Sequence, residues 1–387
     1  MRGAWATASL PVDDASGSPG RDATLPDVSD ASHPLLPPAT PLLRRATGAL
    51  QVGGVDSTDG LLISPGADEV AALLRGLDGR RPQRAVVAAA GEAGLAPEAT
   101  LGLLDGLRTA QLLVDLHPAD LLAADAGSSA AARTAAELPA ARDRSGEESR
   151  WAARRQAAVV VVGATRVGVP LAAVLAASGV GRVSVSDPGL VQAGDVVVGG
   201  LTAEDEGRPR ALAAADALRR ASPLVDVRPP APAAVPDLVV LTRPWAAVDP
   251  LVADLQLTGA AHLVATVRGE TGVVGPCVVP GRTSCLECAE RYRCDADPGW
   301  PTLAAQLATA EPRPSGSTVT CLSTALVAAQ QALAYLDGSG CPTVLDATVE
   351  LRPPDLHPRR RSWPRHPDCS CGRPRPPGPR PADRVPR

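Results

Sequence analysis

Apolar positions along this chain recur in a small number of recognisable patterns. The run Ala157–Val162 is continuous and rich in β-branched residues, which predicts a strand buried on both faces. The runs Asp237–Thr242 (DLVVLT) and His262–Thr266 read the same way, and Val225–Val227 predicts a short strand. Between them the period changes. Val169–Ser178 is apolar at helical spacing, with Pro170 in the first turn, where a backbone donor would have no partner. Gly179 and Gly181 end that helix, and Arg182–Ser186 forms a further strand finishing on Asp187. The segment beyond Pro209 to Arg220, and Asp249–Leu257, also predict helices, as does the long stretch Leu322–Leu336. Arg268–Pro280 (RGETGVVGPCVVP), punctuated by glycine, has the look of a hairpin. Strand, glycine turn, helix, strand and acid in that order make the first half of a Rossmann-like, doubly wound α/β sheet.

The preceding part of the chain is patterned differently. Residues 1–32 are small, polar and proline-bearing, and are expected to be disordered. Ala49–Gly54 and Gly60–Ser64 predict two strands joined by the polar turn Val55–Asp59. Helical patterns follow at Asp68–Leu77, Arg84–Ala90 and Pro97–Leu107, and Thr109–Leu116 closes with an apolar strand. Residues 33–116 therefore predict a small winged-helix-like α+β module. Such a module can bind DNA, but its recognition helix needs a basic face, and PEATLGLLDGLR carries two acids and one arginine. It can instead take an extended peptide as an added strand beside the hairpin, or simply pack on a larger domain. A polar linker is expected over 117–150, the α/β domain over 151–350, and a Pro/Arg-rich tail over 351–387.

Composition narrows the class. The chain has 387 residues, 45% hydrophobic but only 2% aromatic, so its cores must be built from Leu, Val and Ala. All its basic residues are arginine, and neither lysine nor asparagine occurs. A net charge of −4 argues against broad nucleic-acid binding. No apolar run approaches membrane-spanning length and the first twenty residues lack a signal-peptide core, so a cytoplasmic location is expected. Eight cysteines there point to metal or buried thiols rather than disulfides.

The candidate chemistry lies in two places. Gly163 and Gly168 bracket a turn that could approach a phosphate, with Thr165 and Arg166 where further glycines would allow the closest approach, and Asp187 is placed to grip a ribose. The plain alternative is a sheet-terminal turn and a solvated aspartate. An NAD-dependent oxidoreductase would use the same elements but has no evident histidine or tyrosine for the hydride site. Cys285 and Cys288 form a C-x-x-C, and Cys369 and Cys371 a second close pair; together they can supply a closed, structural Cys₄ zinc site. His366 could replace one thiolate, and the second pair could instead be free thiols in the tail. Cys277, Cys294, Cys321 and Cys341 stand alone and read as small buried hydrophobes. Cys321, ahead of a long helix, is the best candidate thiol nucleophile, because a helix N-terminus can lower a thiol pKa. No hydrolytic triad is evident.

In order and spacing, VVVVGATRVGVPLAAVLAASGVGRVSVSD, GRPRA at Gly207–Ala211, DLVVLT and GVVGPCVVPGRTSCLEC resemble the ThiF/MoeB/HesA family, bacterial relatives of ubiquitin-activating enzymes. The resemblance implies adenylation of the C-terminal carboxylate of a small carrier protein with ATP and magnesium, a zinc held by two cysteine pairs, and often a homodimer. It also implies a nucleotide site at Gly163, Thr165, Arg166, Gly168, Asp187 and Arg210, the last standing where the family has a phosphate-facing lysine. Departures are numerous. The second ribose acid is Gly189, the family's asparagine and arginine fall at Asp195 and Val198, and Leu241–Pro244 lacks the magnesium-binding aspartate. Adenylation brings negative charges together and needs those groups to neutralise them. The pattern therefore resembles the non-adenylating, leader-peptide-binding members associated with cyclodehydratases, which present a precursor peptide to a YcaO-type partner. An active adenylyltransferase would need a relocated metal acid, such as Asp249, with Arg210 and Arg243 on the phosphates.

Overall fold

A computed structural model describes residues 6–9, 32–54, 60–64, 67–116, 137, 150–231, 234–243, 249–309, 315–338 and 342–372. The chain divides into two compact units, Met1–Ala152 and Ala153–Arg387. The turn Val55–Asp59, most of the expected linker and the last residues of the tail lie outside the described residues.

In the first unit a four-stranded sheet runs in the order β1 (Ala6–Ser9), β5 (Leu61–Ser64), β4 (Leu50–Val52), β3 (Leu42–Arg44). Alternation puts Leu50, Val52, Leu61 and Ile63 on the inner face. They pack against α1 (Ala67–Arg75), α2 (Gln83–Glu92) and α3 (Pro97–Thr109) through Val70, Leu74, Val86, Leu103, Leu104 and Leu107. A separate antiparallel pair joins β2 (His33–Leu35) to β6 (Val114–Leu116). The expected hairpin and three helices are present. Two features go beyond the expectation: Ala6–Ser9, inside the segment expected to be disordered, pairs with β5, and β3 flanks the hairpin on its other side. Arg108, the cation of α3, is forked onto Asp115 at 2.7 and 2.9 Å and onto Asp105 at 2.9 Å, so its charge is already neutralised.

The division between the units falls within α4 (Arg150–Gln156), and the second unit holds a seven-stranded sheet. Its order is β13 (Pro358–Ser362), β12 (Ala347–Leu351), β11 (Thr271–Val278), β10 (His262–Arg268), β9 (Leu238–Leu241), β7 (Ala158–Val162), β8 (Arg182–Ser186). Strands β8, β7, β9 and β10 are parallel; β11, β12 and β13 extend the sheet antiparallel. Burial on both faces explains the continuous apolar runs. Val159 and Val161 of β7 enter one core with α5 (Gly168–Ala177), Leu218 of α6 (Arg210–Ala221) and α10 (Thr318–Leu336), whereas Val160 and Val162 face another with α7 (Pro250–Thr258) and α8 (Leu286–Ala296). α9 (Trp300–Thr309) follows α8. The order reverses between β8–β7 and β7–β9, which opens a crevice at the carboxyl ends of β7 and β9.

Two sequence expectations change here. The glycine-punctuated stretch from Arg268 is not a self-contained hairpin: the turn lies at Gly269–Glu270, and Thr271–Val278 is one strand returning along β10. Gly272 sits within that strand because a Cβ there would lie 2.0 Å from the Thr324 hydroxyl of α10. Close helix packing, rather than a turn, demands the glycine. The stretch after residue 351 also contributes β13, and Trp363 is buried, its indole N–H donating to Thr348 Oγ1 at 3.0 Å. By length and mean hydropathy α10 could cross a membrane, yet it packs in the centre of this unit against α5, β10 and β11.

Arg154 ties the helices together. Its guanidinium donates to Asp337 at 2.6 and 2.7 Å and to the Ser178 carbonyl at 3.2 Å, placing one cation at the C-terminal ends of both α10 and α5. Both charged side chains are almost fully buried. Asp337→Ala should leave an uncompensated buried cation and lower stability by about 3–5 kcal/mol, read by denaturant unfolding of the whole chain.

Candidate functional site

The crevice at the carboxyl ends of the parallel strands encloses a cavity of about 80 Å³. Pockets that engulf drug-sized ligands usually run to about 300–1,000 Å³. Its walls are the segments that follow each strand: Ala164–Val167 after β7, Asp187 after β8, Thr242 and Arg243 after β9, and Thr266 and Val267 of β10. Asp195, Arg210, Ser315 and Cys321 complete it.

The turn after β7 is held tightly. Gly163 has φ of +106°, and a Cβ on Gly168 would lie 2.2 Å from the Gly163 carbonyl, so the glycines permit the bend and the approach of α5. Four amides of this turn are already used. Gly163 N–H donates to the Ser186 carbonyl at 2.9 Å, Ala164 N–H to Asp187 Oδ2 at 2.8 Å, and Gly168 N–H to the Thr165 hydroxyl at 2.9 Å. Val167 N–H also reaches that hydroxyl, at 3.3 Å. A helix N-terminus attracts anions because its first donors are unpaired; Thr165 removes part of that offer. Arg166 turns to the start of α10, where its guanidinium donates to the Gly316 carbonyl and the Thr318 hydroxyl, each at 2.8 Å.

Asp187 stands at the centre of four alternating charges. Oδ2 accepts from Ala164 N–H and from the Arg243 guanidinium, and Oδ1 accepts from Gly189 N–H at 3.0 Å, with Arg210 Nη1 3.7 Å away. Arg210 in turn donates to Asp195 Oδ2 at 3.0 and 2.5 Å. A Cβ at Gly189 would lie 2.9 Å from Arg210 Nη1, so the glycine that replaces the family's second acid makes room for this arginine. Burial alone pushes the Asp187 carboxyl up, but the N–H groups of Gly189 and Ala164 and the Arg243 guanidinium outweigh it and hold the pKa below the ordinary carboxylate range. The structure therefore brings Thr165, Arg166, Asp187 and Arg210 to the lining of one crevice, whereas Gly163 and Gly168 shape the turn without lining it. What the sequence did not reveal is that Arg243 would sit on Asp187 rather than point towards a phosphate.

Two candidate residues have other roles. Asp249 caps α7, accepting from Leu251 N–H at 2.9 Å, and does not line the cavity. Cys321 lies within the first turns of α10, fully buried, its thiol donating to the Ser315 carbonyl at 3.4 Å. Burial pushes that thiol up, partly offset by Arg166 and reinforced by Glu270. The helix start does not produce the lowered thiol pKa anticipated for a nucleophile.

On the other face of the sheet Cys285, Cys288, Cys369 and Cys371 converge, with all four Sγ atoms within 4.8 Å of one another. Neighbouring separations are 3.8 Å for Cys285–Cys288, 3.5 Å for Cys285–Cys369 and 3.3 Å for Cys288–Cys371. A tetrahedral site with Zn–S near 2.3 Å requires S–S of about 3.8 Å. The donor set is thus compatible with a structural zinc ion. Hydrogen bonding to Cys288 and burial push the Cys285 thiol up, while that same bond draws Cys288 down to about 4; burial raises Cys369 to about 12. Four thiolates in this space need a cation between them. His366 is not one of the four: its Nε2 contacts Asp295 Oδ2 at 2.9 Å and its Nδ1 accepts from Asp368 N–H at 3.1 Å.

Two outcomes follow. The purified chain should carry close to one zinc per molecule by elemental analysis, and Cys369→Ser should lose the metal together with thermal stability. Because the Asp187 pKa is depressed in the folded state, its contribution to stability is complete above the unfolded value of about 3.9 and is lost as pH falls towards the folded value. Asp187→Asn should remove that acid limb from a plot of unfolding free energy against pH.

With this geometry in hand, comparison with known proteins is informative. The ThiF family profile matches residues 142–372. No curated protein sequence matches the chain. Among solved structures, E. coli MccB with ATP aligns at a TM-score of 0.57 and 15% identity, over 87% of this chain and 99% of that one. The microcin C7 biosynthetic enzyme MccB in complex with N-formylated MccA aligns at 0.55 and 14%, over 88% and 99%. PaaA aligns at 0.51 and 16%, over 68% and 91%. At such identity the structural likeness speaks to the fold, which is shared from the small β-rich module through the mostly parallel sheet. With well over half its length matched by the family profile, this chain belongs to the ThiF family.

Proposed function

We propose that this chain is a non-adenylating ThiF-family scaffold, which binds an extended precursor peptide through its first unit and presents it to a separate ATP-using enzyme, of YcaO type. The observation that carries this reading is the guanidinium of Arg243 on the Asp187 carboxylate. A ribose would need that carboxylate as its acceptor, and the cavity around it is small. Thr165 and Asp187 have taken amides that a phosphate would use. The pairs Asp187–Arg243 and Asp195–Arg210 neutralise one another, so they add no net positive field for a triphosphate. Neither carboxylate is left for magnesium. In this reading zinc in the four-cysteine cluster is structural, holding α8 to the chain that follows β13.

Peptide binding is supported by layout: a hairpin with helices behind it, joined to a ThiF-type domain, as in the MccB fold solved with MccA. MccB was also solved with ATP, which keeps an active adenylyltransferase acting on a peptide or carrier C-terminus as the second reading. That reading requires Arg243 and Arg210 to release their carboxylates and a metal acid to be found outside the present cavity lining.

ATP–pyrophosphate exchange separates the two. The wild-type chain should show no exchange above background with ATP, magnesium and a precursor peptide encoded beside it, whereas fluorescence anisotropy should show binding of that peptide. Asp187→Ala should leave the peptide affinity unchanged. Exchange abolished by Asp187→Ala would establish the adenylyltransferase instead.

A further inference from the structure

The peptide-accepting hairpin has a peculiarity. A peptide adding a strand beside β4–β5 needs a free edge, and within the described residues neither strand has one: β3 lies along β4, and β1 lies along β5. The strand on β5 comes from the chain's own beginning. Ala6–Ser9 runs parallel to it in the register Ala6–Leu61, Thr7–Leu62, Ala8–Ile63, Ser9–Ser64. An uncovered β5 would present a row of unpaired amides and carbonyls, a ready template for another strand.

Several observations make β1 an exchangeable occupant. It is four residues long, and parallel pairing is slightly weaker per residue than antiparallel. Its register partners Leu61 and Ile63 are the β5 residues that belong to the core, and opposite them it offers only alanine. A strand with larger apolar residues at the same two alternate positions has more apolar area to bury. What favours β1 is its tether, since residues 10–31 make its pairing intramolecular. An intramolecular partner acts at an effective concentration that a free peptide must exceed, which a weak strand needs if it is to hold an edge.

We propose that Ala6–Ser9 is a tethered self-peptide filling a peptide-accepting edge on β5, and that the partner is an extended segment, apolar at alternate positions, that displaces it. The proposal rests on the reading that the first unit binds a peptide, and it assigns that binding to one edge. β1 then sets a threshold: only segments that outcompete a local strand gain entry.

The test uses a fluorescent synthetic peptide of residues 3–12 of this chain (GAWATASLPV) as the probe, with three proteins: wild type, the full chain carrying Thr7→Pro and Ala8→Pro, and the chain lacking residues 1–31. Consecutive residues of a strand turn their N–H groups to opposite sides. The double substitution therefore removes whichever central donor of β1 faces β5, since proline cannot donate to a ladder. Anisotropy should give an affinity at least about tenfold higher for both variants than for wild type, in keeping with loss of the tethered competitor. Hydrogen exchange at Leu61–Ser64 should quicken in both variants and slow again when the probe is added. Equal affinity in all three proteins, or no probe binding to either variant, overturns the proposal. A precursor peptide that binds wild type and both variants equally would sink the proposal while leaving the proposed function standing. Probe binding to the variants with no precursor binding would do the reverse.

Discussion

The buried carboxylate of Asp187 can be satisfied in only a limited number of ways, and the whole crevice at the carboxyl ends of the parallel strands is arranged by which one this chain has adopted. Two backbone amides fix the carboxylate at the end of β8, and a guanidinium from the end of β9 completes it. Arginine suits this role because its planar fork stays charged and can bridge acceptors on different elements. With Arg243 on Asp187, Arg210 pairs with Asp195, and the glycine at position 189 leaves space for the Arg210 guanidinium. The same set of interactions that stabilises the crevice also fills it. Each of these four charges has its partner within the chain.

The sheet was largely legible in the sequence because strands buried on both faces write continuous β-branched runs, and the helices between them keep their own period. Segments whose existence depends on a neighbour were not. Every residue of Pro358–Ser362 is exposed, so no hydrophobic pattern marks it; β13 is a strand because β12 offers it an edge. Ala6–Ser9 is similar: its four small or polar residues carry no signal, and it is defined by its pairing with β5. Gly272 misled for the opposite reason, since a glycine required by a helix crossing a strand looks the same in sequence as one required by a turn.

Residue types at the site could be read from spacing, but their partners could not. Asp187 and the four cysteines stand out by position alone. That Arg243 would close on an acid 56 residues earlier is a matter of where β8 and β9 end in the sheet. The raised thiol of Cys321 likewise depends on burial beneath the Ser315–Gly316 turn rather than on its place near a helix start.

The cysteine cluster has a topological meaning beyond local geometry. Cys285 and Cys369 are 84 positions apart, and between them lie α8, α9, α10, β12 and β13. A cross-link closing a loop of that length removes chain entropy from the unfolded state worth about 4–5 kcal/mol if treated like a disulfide. With a metal ion held by the four thiolates, the outer strands β12 and β13 would be girdled at both ends, by the continuing sheet on one side and by a clasp on the other. An aromatic-poor, alanine-rich core supplies less burial per residue than most, and a metal buckle at these cysteines would let the antiparallel margin of the sheet stay shut without a heavier interior.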